Sequence, residues 1–242
     1  RTFPPGTIGV AYFENHVSPR ATEHWRQYFT ALLAEHPDLA RRWLDAAGSA
    51  ENAAFLMAAM KNIQCSLINT FSGTADAVNF CRFIENGTDW GECARTEFQE
   101  PTVLDFSRRE AGAGAKLHAA YLKLHDLCGK LPLIGNGHVY YLRDNLAPAH
   151  DDRIFALARY DAESRFVFMA NLDPLENRAA RFELRFLSIE NRERYNLENL
   201  FDTYGEMGFA PLVPPRDLRG RSIARGTAEF LLGPLQSAVI TF

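Results

Sequence analysis

Apolar residues follow two different spacings along the chain. Up to about residue 130, long stretches repeat apolar side chains every three to four residues, which is the spacing of amphipathic helices. The later stretches are shorter, alternate in part between apolar and polar residues, and are separated by turn residues, as antiparallel strands are. The pattern predicts an α/β segment over 1–130 and an all-β domain over 131–242.

The first segment contains four predicted helices, over 21–34, 39–47, 50–71 and 111–128. Thr22 is the expected N-cap of the first helix. Gly48 follows the second helix, at the position where a left-handed glycine commonly ends one. Ser49 is the expected N-cap of the third helix, with Asn52 in its first turn.

Two short apolar stretches, 8–13 and 77–83, are predicted to be buried strands. The first is rich in β-branched and aromatic residues, as expected for a strand of a parallel sheet that is covered on both faces. Polar residues follow each stretch, over 14–20 and 85–92. Barrels and open α/β sheets hold ligands at the carboxyl ends of their strands, so these residues form a candidate site. The alternative is a pair of ordinary solvated loops.

The second segment contains six predicted strands and a hairpin turn at 161–164. The strands cover 137–143, 153–160, 165–171, 179–186, 228–232 and 237–242. A short helix is predicted at 197–201, before a stretch rich in proline and glycine at 211–221. This order of elements favours an antiparallel β-sandwich.

Composition limits the class of ligand. With 242 residues, 47% of them hydrophobic, the chain is long enough for one large domain or two modest ones. Its formal net charge of −4 argues against a nucleic acid or an anionic membrane as partner. No apolar run of about 18 residues exists to span a bilayer. Neutral ligands fit this composition better.

The four cysteines, Cys65, Cys81, Cys93 and Cys128, have neither a CxxC spacing nor the histidine spacing of a zinc site. Buried free thiols are therefore expected rather than disulfides or metal ligands. They leave the cellular compartment open, with the cytoplasm favoured. The polar residues His118, His125 and Asp126 have helical spacing and are expected to form a polar helix face, so no metal or other cofactor is predicted.

The stretch 13–20, FENHVSPR, resembles a known motif. It is similar to the FxENHDxPR segment at the seventh barrel strand of the α-amylase superfamily, glycoside hydrolase family 13. The matching residues are Phe13, Glu14, Asn15, His16, Pro19 and Arg20. The family's aspartate, which stabilises the charged transition state, is replaced here by Val17. A valine cannot carry charge, so the resemblance implies a degenerate catalytic site.

Looser resemblances extend over most of the chain. Residues 77–92 resemble the eighth barrel strand with its loop, TVLDF at 102–106 resembles the passage before the last barrel helix, and 111–128 resembles that helix. RIFALARYD and RFVFMANLD, at 153–161 and 165–173, resemble a hairpin of the family's C-terminal domain. The resemblance thus implies the C-terminal portion of a (β/α)8 barrel, with two strands and their helices, followed by an antiparallel β-sandwich.

The six earlier barrel strands have no counterpart in this sequence. In the family they carry the nucleophilic aspartate and the acid/base glutamate, so the resemblance implies no catalytic residue in this chain. Three explanations are open, in order of preference: a second chain completes the barrel, the missing N-terminal half was removed, or the two strands join a smaller sheet. The chain begins at Arg1 without a methionine, which indicates processing or a longer parent protein.

The resemblance also implies which residues bind substrate. Asn15 and His16 would meet sugar hydroxyls, while Trp90 could stack on a glucose ring beside the carboxylates of Asp89 and Glu92. Arg20 belongs to the same set and is expected to tie its loop together through a carboxylate. The alternatives are a half-buried His16 that is satisfied by backbone groups and a Trp90 that belongs to the core.

Two functions from different classes follow. One is a portion or subunit of an α-glucan-acting hydrolase or transglycosidase, inactive alone, with an α-glucan or maltooligosaccharide as ligand. The other is a catalytically dead, amylase-like module that binds carbohydrate or protein. An unrelated α/β protein with a chance FENH sequence is the third possibility.

Overall fold

The computed structural model describes most of the chain. The described residues are 8–11, 20–73, 79–82, 87–94, 103–142, 151–187, 189–190 and 192–242. For the strands at 8–11 and 79–82 only the backbone is described. Asn15, His16 and Val17 lie outside the described residues.

Helices dominate the first segment, as predicted. The helices are α1 (Ala21–Glu35), α2 (Arg41–Ala47), α3 (Ala50–Phe71), α4 (Gly112–Lys130) and the short α5 (Leu133–Asn136), α6 (Thr203–Met207) and α7 (Gly220–Ala224). Single 3-10 turns occupy Thr88–Trp90, Phe106–Arg109 and Arg185–Leu187. Helix α3 is buried on nearly every side because α1, α2, α4 and the sheet of the second segment all pack against it.

Two of the three helix-terminus predictions are confirmed. The Ser49 side chain accepts a hydrogen bond from the backbone N–H of Asn52 at 3.2 Å, and Gly48 ends α2 with a φ of +74°. The N-cap prediction for α1 is wrong, since Arg20 occupies that position. Thr22 instead lies buried in the first turn, where its hydroxyl accepts a hydrogen bond from Asn62.

The strands form one parallel pair and several antiparallel sheets. They are β1 (Ile8–Ala11), β2 (Asn79–Arg82), β3 (His138–Tyr141), β4 (Ile154–Tyr160), β5 (Arg165–Asn171), β6 (Arg178–Ala180), β7 (Arg194–Tyr195), β8 (Glu198–Asp202), β9 (Leu218–Arg219), β10 (Phe230–Leu232) and β11 (Ser237–Thr241). Strands β1 and β2 are parallel, and Ile8 pairs with Asn79 and Ala11 with Arg82. The two segments that follow these strands therefore leave the same edge.

A five-stranded antiparallel sheet, in the order β3-β4-β5-β11-β8, organises the second segment. Its two faces bury different partners because neighbouring strand residues point to opposite sides. On β5, Phe166 and Phe168 face the helices, where their rings lie 5.4 and 5.2 Å from that of Phe71 in α3. Val167 and Met169 face a second hydrophobic cluster that includes β6 and β10. The predicted antiparallel β structure is confirmed, with the helices packed on its outer face.

Two predictions in this segment are wrong. A short helix was predicted at 197–201, but β8 pairs there with β11. The helix begins one residue after β8 ends, and the Asp202 carboxylate caps it by accepting from the backbone N–H of Tyr204 at 2.7 Å. The strand expected over 179–186 is limited to β6 and is followed by the 3-10 turn Arg185–Leu187.

A buried arginine in β4 joins the sheet to the helices. Arg159 is about 1% exposed, and its guanidinium donates only to backbone carbonyls among the described residues. Its Nε donates to the carbonyl of Phe71 at 2.8 Å, and Nη1 donates to those of Leu133 and Ile134 at 2.9 and 2.8 Å. Nη2 donates to the carbonyl of Gly73. These carbonyls belong to the end of α3 and to α5, so one side chain holds three elements together.

A buried glutamine makes a second polar link. The Gln64 amide nitrogen, on α3, donates to the carbonyls of Asn171 and Leu235 at 2.9 and 3.2 Å. Both acceptors belong to the β-sandwich, so the helical segment and the sandwich form one packed body. Cys65, Cys93 and Cys128 are free thiols in the part of the chain that is described. No described helix is both long and apolar enough to cross a membrane.

Candidate functional site

The candidate site lies where β1 and β2 end. Arg20 closes the segment after β1, and residues 87–94 belong to the segment after β2. Of the predicted substrate-binding residues, Arg20 and Trp90 are described here, whereas Asn15 and His16 are not. The described residues show how Arg20 is held against the loop at 87–94.

Arg20 and Glu92 meet at Gly87. Arg20 is about 1% exposed and Glu92 about 2%. Gly87 has a φ of +96°, and a Cβ there would lie 2.5 Å from the Arg20 Nη2 and 2.6 Å from the Glu92 Cβ. Because glycine has no Cβ, the two buried side chains can approach the backbone from both sides. Arg20 therefore packs directly against the loop that follows β2.

Glu92 shapes that loop through its backbone. Its Oε1 accepts from the N–H groups of Cys93 and Ala94 at 2.8 and 2.9 Å, and its Oε2 accepts from that of Asp105 at 2.7 Å. Burial raises the pKa of the Glu92 carboxyl, but these hydrogen bonds and the charge of Arg108 outweigh burial and lower it. The sequence had suggested that Glu92 offers its carboxylate to a ligand. In the structure that carboxylate instead accepts hydrogen bonds from the backbone and anchors the loop.

Trp90 is buried in this arrangement. It is about 3% exposed, and its ring contacts that of Phe106 at 5.2 Å and the guanidinium of Arg109 at 5.1 Å. Its indole N–H has no acceptor among the described residues. The indole face is therefore covered by protein, with Arg109 over the ring.

A histidine from α4 reaches the same loop. The His118 Nδ1 lies 2.7 Å from the Asp89 Oδ2, and its Nε2 lies 3.0 Å from the Arg109 Nη2. The His118 ring therefore lies between the Asp89 carboxylate and the Arg109 guanidinium. His118 was expected to belong to a polar face of α4. In the structure it contacts the loop after β2 and so belongs to the candidate site. No group of side chains suited to a metal ion occurs in the described residues.

A buried asparagine on α3 hydrogen-bonds to the elements that form the site. Asn62 of α3 donates from Nδ2 to the Thr22 hydroxyl at 2.9 Å and to the Thr88 carbonyl at 3.0 Å. Its Oδ1 accepts from the Tyr121 hydroxyl at 2.6 Å. These contacts fix the start of α1, the loop after β2 and α4 relative to one another. Asn62 could not be identified from the sequence, because it lies within an apolar helix and its partners are 26 to 59 residues away along the chain.

Substitution at Gly87 should loosen this edge. Gly87→Ala forces a Cβ into Arg20 and Glu92 at a φ that alanine resists, so we expect a loss of about 1–3 kcal/mol in unfolding free energy. Gly129→Ala is the matched control, because nothing lies within 4 Å of its added Cβ in α4. That substitution should leave stability unchanged or raise it by up to about 1 kcal/mol. Equal effects of the two, measured by urea unfolding, would contradict the described packing at Gly87.

The Glu92 carboxylate should make the free energy of unfolding depend on pH in the acidic range. Its folded pKa is lowered below its ordinary value of 4.5, so its contribution is present above that value and is lost as the pH falls through the folded pKa. Glu92→Gln should therefore destabilise the chain at pH 7, and the difference from wild type should shrink below about pH 4. Unfolding free energies measured from pH 7 to pH 3 test this, and a difference that stayed constant would refute it.

Comparison with known proteins identifies the fold. No family profile and no curated protein matches the sequence. The structure is similar to a noncanonic maltogenic α-amylase, AmyB from Thermotoga neapolitana, with a TM-score of 0.58 and 12% identity. The match covers 99% of this chain and 42% of that chain. The predicted resemblance to the α-amylase fold is thus confirmed, and this chain spans less than half the length of that amylase.

Two further solved structures are less similar. The gamma-CGTase of alkalophilic Bacillus clarkii gives a TM-score of 0.48 at 12% identity, over 76% of this chain and 23% of that chain. Amy13B of Eubacterium rectale gives 0.47 at 10% identity, over 76% of this chain and 35% of that chain. Neither adds to the fold assignment, and at these identities a likeness establishes fold rather than activity.

Proposed function

We propose that this chain is the C-terminal portion or a subunit of an α-glucan-acting glycoside hydrolase or transglycosidase of the α-amylase type, inactive on its own. Residues 1–130 would form the partial barrel and 131–242 the β-sandwich domain. The observation that carries the proposal is the parallel pairing of β1, which FENHVSPR follows in the sequence, with β2, which the loop at 87–94 follows. Arg20, the last residue of FENHVSPR, packs against Gly87 of that loop. The similarity in fold to an amylase over nearly the whole chain supports it.

The proposed inactivity follows from the chemistry. Retaining glycosidases need one carboxylate as nucleophile and a second as general acid/base, placed about 5 Å apart across the scissile bond. The resemblance to the amylase motif implies that this chain carries neither the nucleophile nor the general acid/base. Val17 occupies the position where the motif has a third carboxylate, which would stabilise the transition state. Two parallel strands also do not close a barrel. Another polypeptide, or a missing N-terminal half, would supply the remaining strands and the carboxylates.

The proposed ligand is an α-glucan or maltooligosaccharide. Asn15 and His16 would meet its hydroxyls, since amide and neutral imidazole groups hydrogen-bond sugars without adding charge. Arg20 and Trp90 would act at the same edge, Arg20 by holding the two strand-end segments together and Trp90 by offering its indole to a sugar once Arg109 moves. The balanced charge of the chain suits a neutral substrate.

A cleavage assay tests this function. Tagged chain is purified from its natural source under mild conditions, and the preparation is incubated with maltoheptaose next to the same chain produced alone. We expect shortened oligosaccharides from the native preparation and none from the chain alone. Cleavage by the isolated chain would overturn the proposal.

The replacement of the aspartate by Val17 also favours the second function, a catalytically dead carbohydrate-binding or protein-interaction module. This alternative predicts a native preparation that binds maltoheptaose or a protein partner and releases no shorter product. The same assay therefore separates the two functions.

A further inference from the structure

Two adjoining hollows are lined by residues of the second segment together with Arg42 of α2, and none of their described lining residues is Arg20 or belongs to 87–94. Their volumes are about 590 and 440 Å³, and they meet at Leu212 and Val213. We call them together the sandwich groove, which is lined by Arg42, Asn177, Asn196, Phe209, Val213 and Leu231 among others. Each hollow lies within the size range of small-molecule sites.

The groove exposes apolar side chains that the fold does not cover. Val213 is 79% exposed and Leu231 is 57% exposed, and both line the smaller hollow. Phe209 lines it as well, with its ring supported by Trp43 at 5.5 Å and Tyr204 at 4.9 Å. Clustered apolar exposure of this kind is typical of binding surfaces.

Hydrogen-bond donors stand beside these apolar groups. The Arg42 Nη1 donates to the Tyr204 hydroxyl at 3.0 Å and to the Asn177 Oδ1 at 3.2 Å. This fixes the Asn177 amide so that its NH₂ points away from Arg42. Burial raises the pKa of Tyr204 to about 12, so its hydroxyl stays neutral and donates to the Pro234 carbonyl at 2.9 Å. Among the described residues no carboxylate lines the smaller hollow, whereas Glu198 and Arg216 line the larger one and carry one charge of each sign.

The groove is also held rigidly. The backbone N–H of Leu212 donates to the Asp202 carboxylate at 2.8 Å, and the Leu212 carbonyl accepts from the Asn199 amide at 2.9 Å. Both polar backbone groups of the residue shared by the two hollows are therefore fixed to β8. Pro211 and Pro214 flank this point and restrict the backbone further. A groove of fixed shape loses little entropy when a ligand binds.

From these features we infer that the sandwich groove is a binding site for a neutral oligosaccharide, separate from the strand-end site. Sugar rings present apolar C–H faces to Phe209, Val213 and Leu231, while their hydroxyls accept from Arg42 and Asn177. A chain of several sugar units can occupy both hollows, whereas a single glucose cannot. The choice of an α-glucan as the oligosaccharide rests on the proposed function.

Binding to the isolated chain tests the site. Calorimetric titration of the folded 242-residue chain with maltoheptaose should show binding at least about tenfold tighter than with maltose, since a longer ligand fills both hollows. The double variant Val213→Asp with Leu231→Asp should weaken maltoheptaose binding at least about tenfold. Both substitutions are at exposed positions, so folding should be preserved, which circular dichroism checks.

Two controls separate this site from the strand ends. Leu122→Asp alters an equally exposed leucine, 59% exposed on α4, and should leave binding unchanged. Arg185→Leu, at an arginine whose side chain is 67% exposed and does not line either hollow, should also leave it unchanged. If His16→Ala abolished maltoheptaose binding while the groove variant still bound it, the groove proposal would be wrong and the strand-end site would be supported.

Two other results would overturn the groove proposal alone. The first is that the wild-type chain does not bind maltoheptaose. The second is that the wild-type chain binds inorganic phosphate instead of the oligosaccharide, and that the groove variant no longer binds phosphate. Either result leaves the proposed function to be decided by the cleavage assay.

Discussion

Replacing Arg159 by leucine should cost the chain about 3–5 kcal/mol of unfolding free energy, enough to lower its melting temperature by about 6–20 °C. The guanidinium is buried and donates to four backbone carbonyls at the end of α3 and in α5. A leucine fills much of the space but leaves those carbonyls without donors, and each unsatisfied buried group costs about 1–3 kcal/mol. Removal of a desolvated charge offsets only part of that loss, so the net effect stays large.

Two further variants isolate this effect in thermal and urea unfolding. Arg185→Leu removes an arginine whose side chain is 67% exposed on the same sandwich, and it should change stability by less than about 0.5 kcal/mol. Arg159→Lys keeps the charge but cannot span four carbonyls, because an ammonium is a compact group with three donors. It should lose most of what the leucine variant loses. A lysine variant as stable as wild type would show that charge alone matters.

Restoring the missing carboxylate should raise activity in the completed enzyme. Val17→Asp places an anion where the amylase motif carries one, beside the positive charge that develops on the sugar in the transition state. Preorganised electrostatic groups of this kind contribute on the order of 10²–10³ in rate. We therefore expect a gain of that size in kcat/KM for maltoheptaose, measured in the native assembly, and no gain in the isolated chain.

The matched control for this gain is Val17→Asn, which has the same shape as the aspartate and no charge. It should gain less than about tenfold, because an amide cannot stabilise a cation as a carboxylate does. If wild type is already fully active and the aspartate variant gains nothing, then Val17 is not the position that the motif assigns to it.

Local signals in the sequence predicted most elements of this fold. The strand expected at 165–171 is β5, and Ser49 caps α3 as its spacing with Asn52 indicated. The prediction failed where long-range pairing overrode local spacing. A short helix was predicted at 197–201, but pairing with β11 makes 198–202 a strand.

The site was harder to predict from the sequence than the fold. The FENHVSPR motif named Arg20, and the loop after the second strand suggested Trp90, yet the structure buries both against neighbours that no motif indicates. Asn62 and Arg159 contact groups 25 to 88 residues away along the chain, and His118 contacts Asp89 at a separation of 29 residues, so no local pattern could connect these partners. Burial of a polar side chain is decided by packing, which becomes visible only in three dimensions.

The central claim is that this chain works as part of a larger amylase-type barrel. Native mass spectrometry of the protein purified from its natural source tests it most directly. We predict a species heavier than the 27.3 kDa chain, because a further polypeptide carries the remaining strands, together with cleavage of maltoheptaose by that species alone. A single 27.3 kDa chain that cleaves maltoheptaose unaided would contradict the account.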